Sequence, residues 1–183
     1  RPAARPRFLE EERGLTPAQR GTALHQAMQY LPLEGDHSPE AVRGQLDRLV
    51  EEGFLTRQQG EAVDPARLSA FLCSPLGREM ARAPECRREF KFSLLVPAEE
   101  YFPGAGEETV LLQGVVDAWF DSGAGVTVVD FKSDRIAPGS ERDRGEAYRP
   151  QLEAYSRALE RVLEQKVARR VLYFLAAGET VDI

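Results

Sequence analysis

An α/β fold, with a mixed central sheet flanked by helices and extra helices ahead of it, is predicted by three features of the sequence. Hydrophobic spacing is helical up to about residue 83 and switches to period two at Cys86. Two long apolar runs follow, divided by Asp121-Ser122-Gly123-Ala124-Gly125, and a second helical stretch then precedes a last apolar run. Length agrees with this: 183 residues, 42% hydrophobic and 8% aromatic, carry apolar material for one core and correspond to about one domain.

The elements follow in order. Thr16 caps and Pro17 starts a first helix in which Leu24, Ala27, Met28 and Leu31 recur at helical spacing. Ser38-Pro39 opens a second, with Val42, Leu46, Leu49 and Val50 inward and Gly53 as its stop. Asp64-Pro65 and Ser74-Pro75 repeat the start signal, and Leu68, Phe71 and Leu72 supply an apolar face, so short helices fill the stretch to Ala83. Phe90, Phe92, Leu94 and Val96 alternate with Glu89, Lys91, Ser93 and Leu95 as a strand. A Pro- and Gly-containing turn from Pro97 to Glu108 leads to the runs Val110 to Phe120 and Val126 to Ser133, which pair as a hairpin. Arg135 to Arg149 reads as a flexible polar loop, Ala147 to Lys166 as a helix and Val171 to Ala176 as a last strand. Residues 1–14 read as a linker or arm, 15–83 as a helical part and 84–183 as a strand-rich part of one domain. A start at Arg1 and an end at Val181, Asp182, Ile183 within a strand pattern read as a piece cut from a longer chain.

Charge and composition exclude several classes. With 30% charged residues no window approaches the ~20 apolar residues of a membrane span, and no apolar segment follows the basic N-terminus as in a secretory signal. A net charge of −6 predicts weak nonspecific attraction to nucleic acid, so any such contact is local. Cys73 and Cys86 are too few for a zinc or iron-sulfur site and read as buried free thiols of a cytoplasmic protein.

Chemistry concentrates in the hairpin. Its strands are apolar almost throughout, yet each carries an aspartate, Asp117 in Gly-Val-Val-Asp and Asp130 in Val-Val-Asp-Phe-Lys, and a buried carboxylate is costly. A turn centred between Gly123 and Ala124 opposes residues whose numbers sum to 247, which sets Asp117 across from Asp130. Cβ atoms so opposed lie ~5 Å apart, where two negative charges repel unless a cation intervenes. Lys132, two residues beyond Asp130, shares its face. Hard oxygen ligands suit Mg²⁺ or Mn²⁺, and two acids with a lysine suit phosphodiester hydrolysis. The alternative is a structural ion network among the same three residues.

These residues resemble motifs of the PD-(D/E)XK nuclease superfamily, in the branch like the RecB nuclease domain and within it the nuclease domains of AddA-type helicase-nuclease subunits. Gly114 to Asp117, the Asp130-Phe131-Lys132-Ser133-Asp134 segment, Gly21-Thr22-Ala23-Leu24-His25 and Gln151-Leu152-Glu153-Ala154-Tyr155 match in order, over about residues 15–183. The resemblance implies an αβββαβ restriction-endonuclease-like core. It implies His25, Asp117, Asp130 and the Phe131 carbonyl as metal ligands and Lys132 as the group positioning the attacking water. Gln151 and Tyr155, one turn apart, would lie beside the site. Glu89 resembles an acid found near the site in some relatives, and is expected to sit outside the metal's immediate ligands or simply to belong to a charged strand face. Arg135, Arg142, Arg144 and Arg149 meet phosphates or form a solvated loop, and Trp119, by its parity, could stack a base, whereas Phe120 has core parity.

The implied function is a magnesium-dependent deoxyribonuclease of the bacterial cytoplasm. It would cut single-stranded DNA delivered by a helicase during double-strand-break repair by recombination, leaving a 5′ phosphate, and would trim the 3′-terminated strand until a regulatory sequence is met. No Gly-x-x-x-x-Gly-Lys-Ser/Thr loop occurs, so ATP hydrolysis would belong to a helicase domain elsewhere in the full-length chain. A second nuclease-bearing subunit, which carries the iron-sulfur cluster, is the further implied partner. Other readings are a stand-alone nuclease of another pathway and a catalytically idle DNA-binding or docking module.

Overall fold

The computed structural model describes residues 15–133, 136–137 and 139–183; the expected N-terminal arm and Arg135 lie outside them. Five helices come first: α1 (Pro17–Tyr30), α2 (Pro39–Glu51), α3 (Arg57–Ala62), α4 (Pro65–Leu72) and α5 (Pro75–Arg82). Each begins at a side-chain cap, Thr16, Ser38, Thr56, Asp64 and Ser74, and Thr16 and Thr56 close full capping boxes with Gln19 and Gln59. Then follow β1 (Glu85–Pro97), a single 3₁₀ turn (Ala98–Glu100), β2 (Thr109–Asp121), β3 (Val126–Lys132), α6 (Glu141–Glu146), α7 (Arg149–Leu163), β4 (Val167–Phe174) and β5 (Glu179–Asp182).

The five strands lie in the order β1-β2-β3-β4-β5, antiparallel except for the parallel pair β3 and β4, whose crossover carries α6 and α7. This is the expected mixed sheet between helical layers. One layer, α1, α2, α4 and α5, packs on Ala118, Phe120, Val129, Phe131, Val171 and Tyr173. The other, α7, packs through Leu152, Ala158 and Leu159 on Trp119, Val126, Val128, Leu172 and Phe174. Covering on both faces is why the central strands read as continuous apolar runs rather than alternating ones.

Three expectations are corrected. The polar stretch before α7 is not all loop, because α6 forms there, its buried Gly145 lying against Val181 and Ile183 of the last strand region. Strand β4 starts at Val167, four residues earlier than the apolar run. Both cysteines are free, but Cys73 is exposed at the end of α4 and only Cys86 is partly buried. Among the described residues no helix is long and apolar enough to cross a membrane.

Strands β1 and β2 carry an irregularity that the sequence hides. Cys86, Ala118 and Phe120 face the α1 layer, whereas Phe90, Phe92, Leu94, Leu112 and Val116 face the α7 layer. Even-numbered residues thus change face in both strands. The register does not slip, since Arg88 pairs with Ala118 and Phe90 with Val116. Each strand therefore spends one residue at the same step, Glu89 in β1 and Asp117 in β2. Glu89 accommodates it in the left-handed region, φ 51°, a conformation rare for a residue with a side chain and found most often where function holds it.

Candidate active site

Strands β2 and β3 pair as Ala118 with Val129, Trp119 with Val128, Phe120 with Thr127 and Asp121 with Val126, the expected register. One step further along both strands come Asp117 and Asp130. Asp117 is anchored from two directions: the Phe131 amide donates to its Oδ2 at 2.8 Å, and His25 Nδ1 lies 3.3 Å from its Oδ1. His25 reaches it because Gly21, one turn earlier on α1, lets the helix close on the end of β3; a Cβ there would stand 3.3 Å from Ser133 Oγ. The far end of α1 is tied to β1 by Arg88, half-buried, whose Nη1 donates to the carbonyls of Met28 at 2.7 Å and Leu31 at 2.5 Å.

Ligand atoms of His25, Glu89 and Asp117 all lie within 4.8 Å of one another. The left-handed step thus brings Glu89 into the cluster, closer than its place in the sequence pattern suggests. An imidazole nitrogen and two carboxylates, with no thiolate, form a donor set that fits Mg²⁺ or Mn²⁺. Asp130 is outside this triplet. Its carboxylate, 3% exposed, turns to Lys132, with Oδ2 2.6 Å from Nζ.

On the α7 side the lysine is the centre of a relay. Lys132 Nζ donates to Gln151 Oε1 at 3.0 Å, and Gln151 Nε2 donates to the Tyr155 hydroxyl at 2.9 Å. The ammonium also sits 4.0 Å from the centroid of the Tyr148 ring. The structure therefore gathers Asp130, Lys132, Gln151 and Tyr155 as expected, and adds Tyr148, which sequence reasoning misses.

Electrostatics show mutual perturbation. Burial, then the charge of Asp117, pushes Asp130 up to about 6 in spite of Lys132 and His25. Burial and Asp117 likewise raise Glu89. Burial disfavours the charged ring of His25, but its hydrogen bond to Asp117 and the surrounding carboxylates outweigh it and raise its pKa. Buried carboxylates in conflict make a place that a divalent cation would relieve.

Two expected DNA contacts fare differently. Trp119 is corrected: it is 3% exposed, packed edge-on against Phe90 within the α7-side core, and offers no face to a base. Both sheet faces being covered, the parity that points to the site also points into core. Phe120 is core, as expected. Arg149 is at the surface, its guanidinium paired with Glu146 at 2.6 and 2.7 Å.

The sequence profile of the PD-(D/E)XK nuclease superfamily matches residues 3–182. The chain is 42% identical over 180 residues to the AddA-type ATP-dependent helicase/nuclease subunit of Desulforudis audaxviator, covering 97% of this chain and 15% of that protein. The same-named protein of Desulforamulus reducens is 40% identical over 186 residues, covering 99% and 15%. That of Geobacillus kaustophilus is 38% identical over 190, covering 98% and 15%. The chain therefore spans about a seventh of the length of these relatives. With a profile matching nearly the whole chain and these relatives alongside, the αβββαβ core and its acidic hairpin belong to the PD-(D/E)XK nuclease superfamily.

Proposed function

We propose that residues 1–183 form a single nuclease domain of a larger helicase-nuclease, and that it hydrolyses phosphodiester bonds of single-stranded DNA during double-strand-break repair by recombination. The observation that carries the reading is convergence: His25, Glu89 and Asp117 on one side and Asp130, Lys132 and Gln151 on the other meet at the end of β3. The relatives are named as ATP-dependent helicase/nuclease subunits, which supplies the motor and, with it, the partner in the complex. A net charge of −6 suits a domain that receives DNA from a motor rather than capturing it alone.

His25, Glu89 and Asp117, with Asp130 and the Phe131 carbonyl, would hold Mg²⁺, with Mn²⁺ as substitute. When bound, the ion supplies Lewis acidity, neutralising charge on a phosphoryl oxygen and making water more acidic. The chain's own groups do the rest. Of the three donors on Lys132, Asp130 and Gln151 take two, and the third orients the attacking water or meets charge developing on the phosphate. Gln151, held by Tyr155, keeps the ammonium aimed. Asp117 holds its position through the Phe131 amide. In-line attack displaces the 3′ oxygen and leaves a 5′ phosphate.

The test is cleavage of labelled single-stranded and duplex DNA with Mg²⁺, Mn²⁺ or EDTA, by the chain and by its Asp130→Ala and Lys132→Ala variants. Metal-dependent cutting of single strands, lost in both variants, is expected. No cutting by a folded chain that still takes up Mn²⁺ would place delivery of the strand in the motor. No cutting and no metal uptake would refute the catalytic reading in favour of an idle docking module.

A further inference from the structure

An open cavity of ≈ 780 Å³ lies against the catalytic corner, lined among others by Ala18, Arg20 and Gly21 of α1, Asp64 and Arg67 at the start of α4, and Ser133. Two of these residues join it to the site. Gly21 stands one helical turn before His25 on the same face of α1, and Ser133 follows Lys132, with Gly21 and Ser133 in near contact. The volume is that of a ligand cleft, ~300–1,000 Å³, and far exceeds what an ion and one phosphate require. Its charge runs against that of the molecule: two arginines and one aspartate line it, net positive, in a chain of net −6. Both arginines are held by local partners that leave their guanidinium groups on the cavity wall. Arg20 Nε donates to the Leu15 carbonyl at 3.0 Å, and Arg67 Nε lies 3.6 Å from Asp64 Oδ2.

We propose that this cavity carries the phosphate backbone of the DNA strand adjoining the scissile bond, with Arg20 and Arg67 as its phosphate contacts. The inference rests on the nuclease reading and goes beyond it by assigning the substrate's path. Phosphate is the ligand chemistry that continues from the site, because the polymer whose scissile phosphate lies at Lys132 must leave past Ser133. Arginine matches it through fork geometry.

The experiment measures binding of a fluorescein-labelled oligothymidylate to the chain by fluorescence anisotropy, with Ca²⁺ in place of Mg²⁺, across a range of salt. Each phosphate contact contributes about −0.7 to the slope of log K against log salt on single strands. Arg20→Ala with Arg67→Ala is expected to flatten the slope by about 1.4, and Arg20→Lys with Arg67→Lys to restore most of it. A control pair removing equal charge elsewhere, Arg48→Ala with Arg161→Ala, is expected to keep the parental slope. A parental slope in the cavity variant, an equal flattening in the control pair, or a parent chain that binds no oligothymidylate would each overturn the assignment. Mn²⁺ titration of the parent distinguishes this from failure of the catalytic reading: uptake of Mn²⁺ leaves that reading standing whatever the cavity variants do, and no uptake removes it.

Discussion

Asp130→Asn tests the electrostatic conflict at the site. Asp130 is 3% exposed and ion-paired with Lys132 at 2.6 Å, which on inspection would make its loss destabilising. The balance of forces points the other way. Burial and Asp117 outweigh the lysine and push the carboxyl from 3.8 up to about 6. An acid whose pKa is raised on folding binds its proton more tightly in the folded state, so folding loses stability as pH rises. The cost is absent below about pH 3.8 and complete above about pH 6; at about 1.4 kcal/mol per unit it amounts to about 3 kcal/mol. Asparagine keeps the volume and does not ionise. Urea unfolding in EDTA should therefore show the variant gaining about 3 kcal/mol on the parent between about pH 4 and pH 6.5, then no further change. Adding Mn²⁺ at pH 8 should reverse the order, because the ion stabilises only the chain that binds it. A stability gap independent of pH, or a parent that gains on the variant as pH rises, would refute the reasoning.

Gln151→Leu removes the acceptor that aims Lys132; turnover should fall by at least about tenfold, roughly 1.4 kcal/mol of transition-state positioning, while the Mn²⁺ affinity measured by calorimetry stays within a factor of two or three. Arg88→Met strips two carbonyls at the end of α1 of a charged donor and should cost about 2–3 kcal/mol in urea unfolding; Arg88→Lys, with a single-point donor, should recover only part. Glu89→Gly should raise the stability of the metal-free chain by about 1 kcal/mol, relieving a left-handed residue that costs ~1–2 kcal/mol, and weaken Mn²⁺ binding; unchanged affinity would show that Glu89 is no ligand.

Much of this is legible in the chain. Cap-Pro pairs mark four of the first five helix starts, since Ser, Thr or Asp before proline satisfies orphan amides where proline lacks one. The Gly-rich turn sets the β2 and β3 register and hence the approach of Asp117 to Asp130. Glu89 is harder to read because buried positions stay even-numbered along β1 while the face they serve changes, so the alternation looks unbroken where the backbone is not. Trp119 misleads for the opposite reason: its parity is read correctly, but α7 covers that face. Helix α6 has no apolar period, and its place depends on Gly145 meeting the last strand. Arg88 and Tyr148 act through partners that only folding supplies; Arg88 lies 57 and 60 residues from the carbonyls it holds.

The paired face change explains why the site stands where it does. A sheet normally keeps the helices on its two faces apart, so a histidine on α1 and a glutamine on α7 would have no shared neighbour. At Glu89 and Asp117 both strands turn over together, and the side chains at that step belong to neither face. Asp117 consequently meets His25 from the α1 layer, while Asp130 and Lys132, one strand over, meet Gln151 from the α7 layer. The division of labour should follow the layers. Groups on the α1 side, His25, Glu89 and, through the helix it anchors, Arg88, govern metal affinity. Those on the α7 side, Gln151 and Tyr155, govern the aim of Lys132 and so turnover at saturating metal. His25→Ala should then be rescued by excess Mn²⁺ and Gln151→Leu should not, and their effects on kcat/KM should add, because the two act on separate terms of one reaction. Strong non-additivity would mean that the lysine relay and the carboxylate cluster work as one unit.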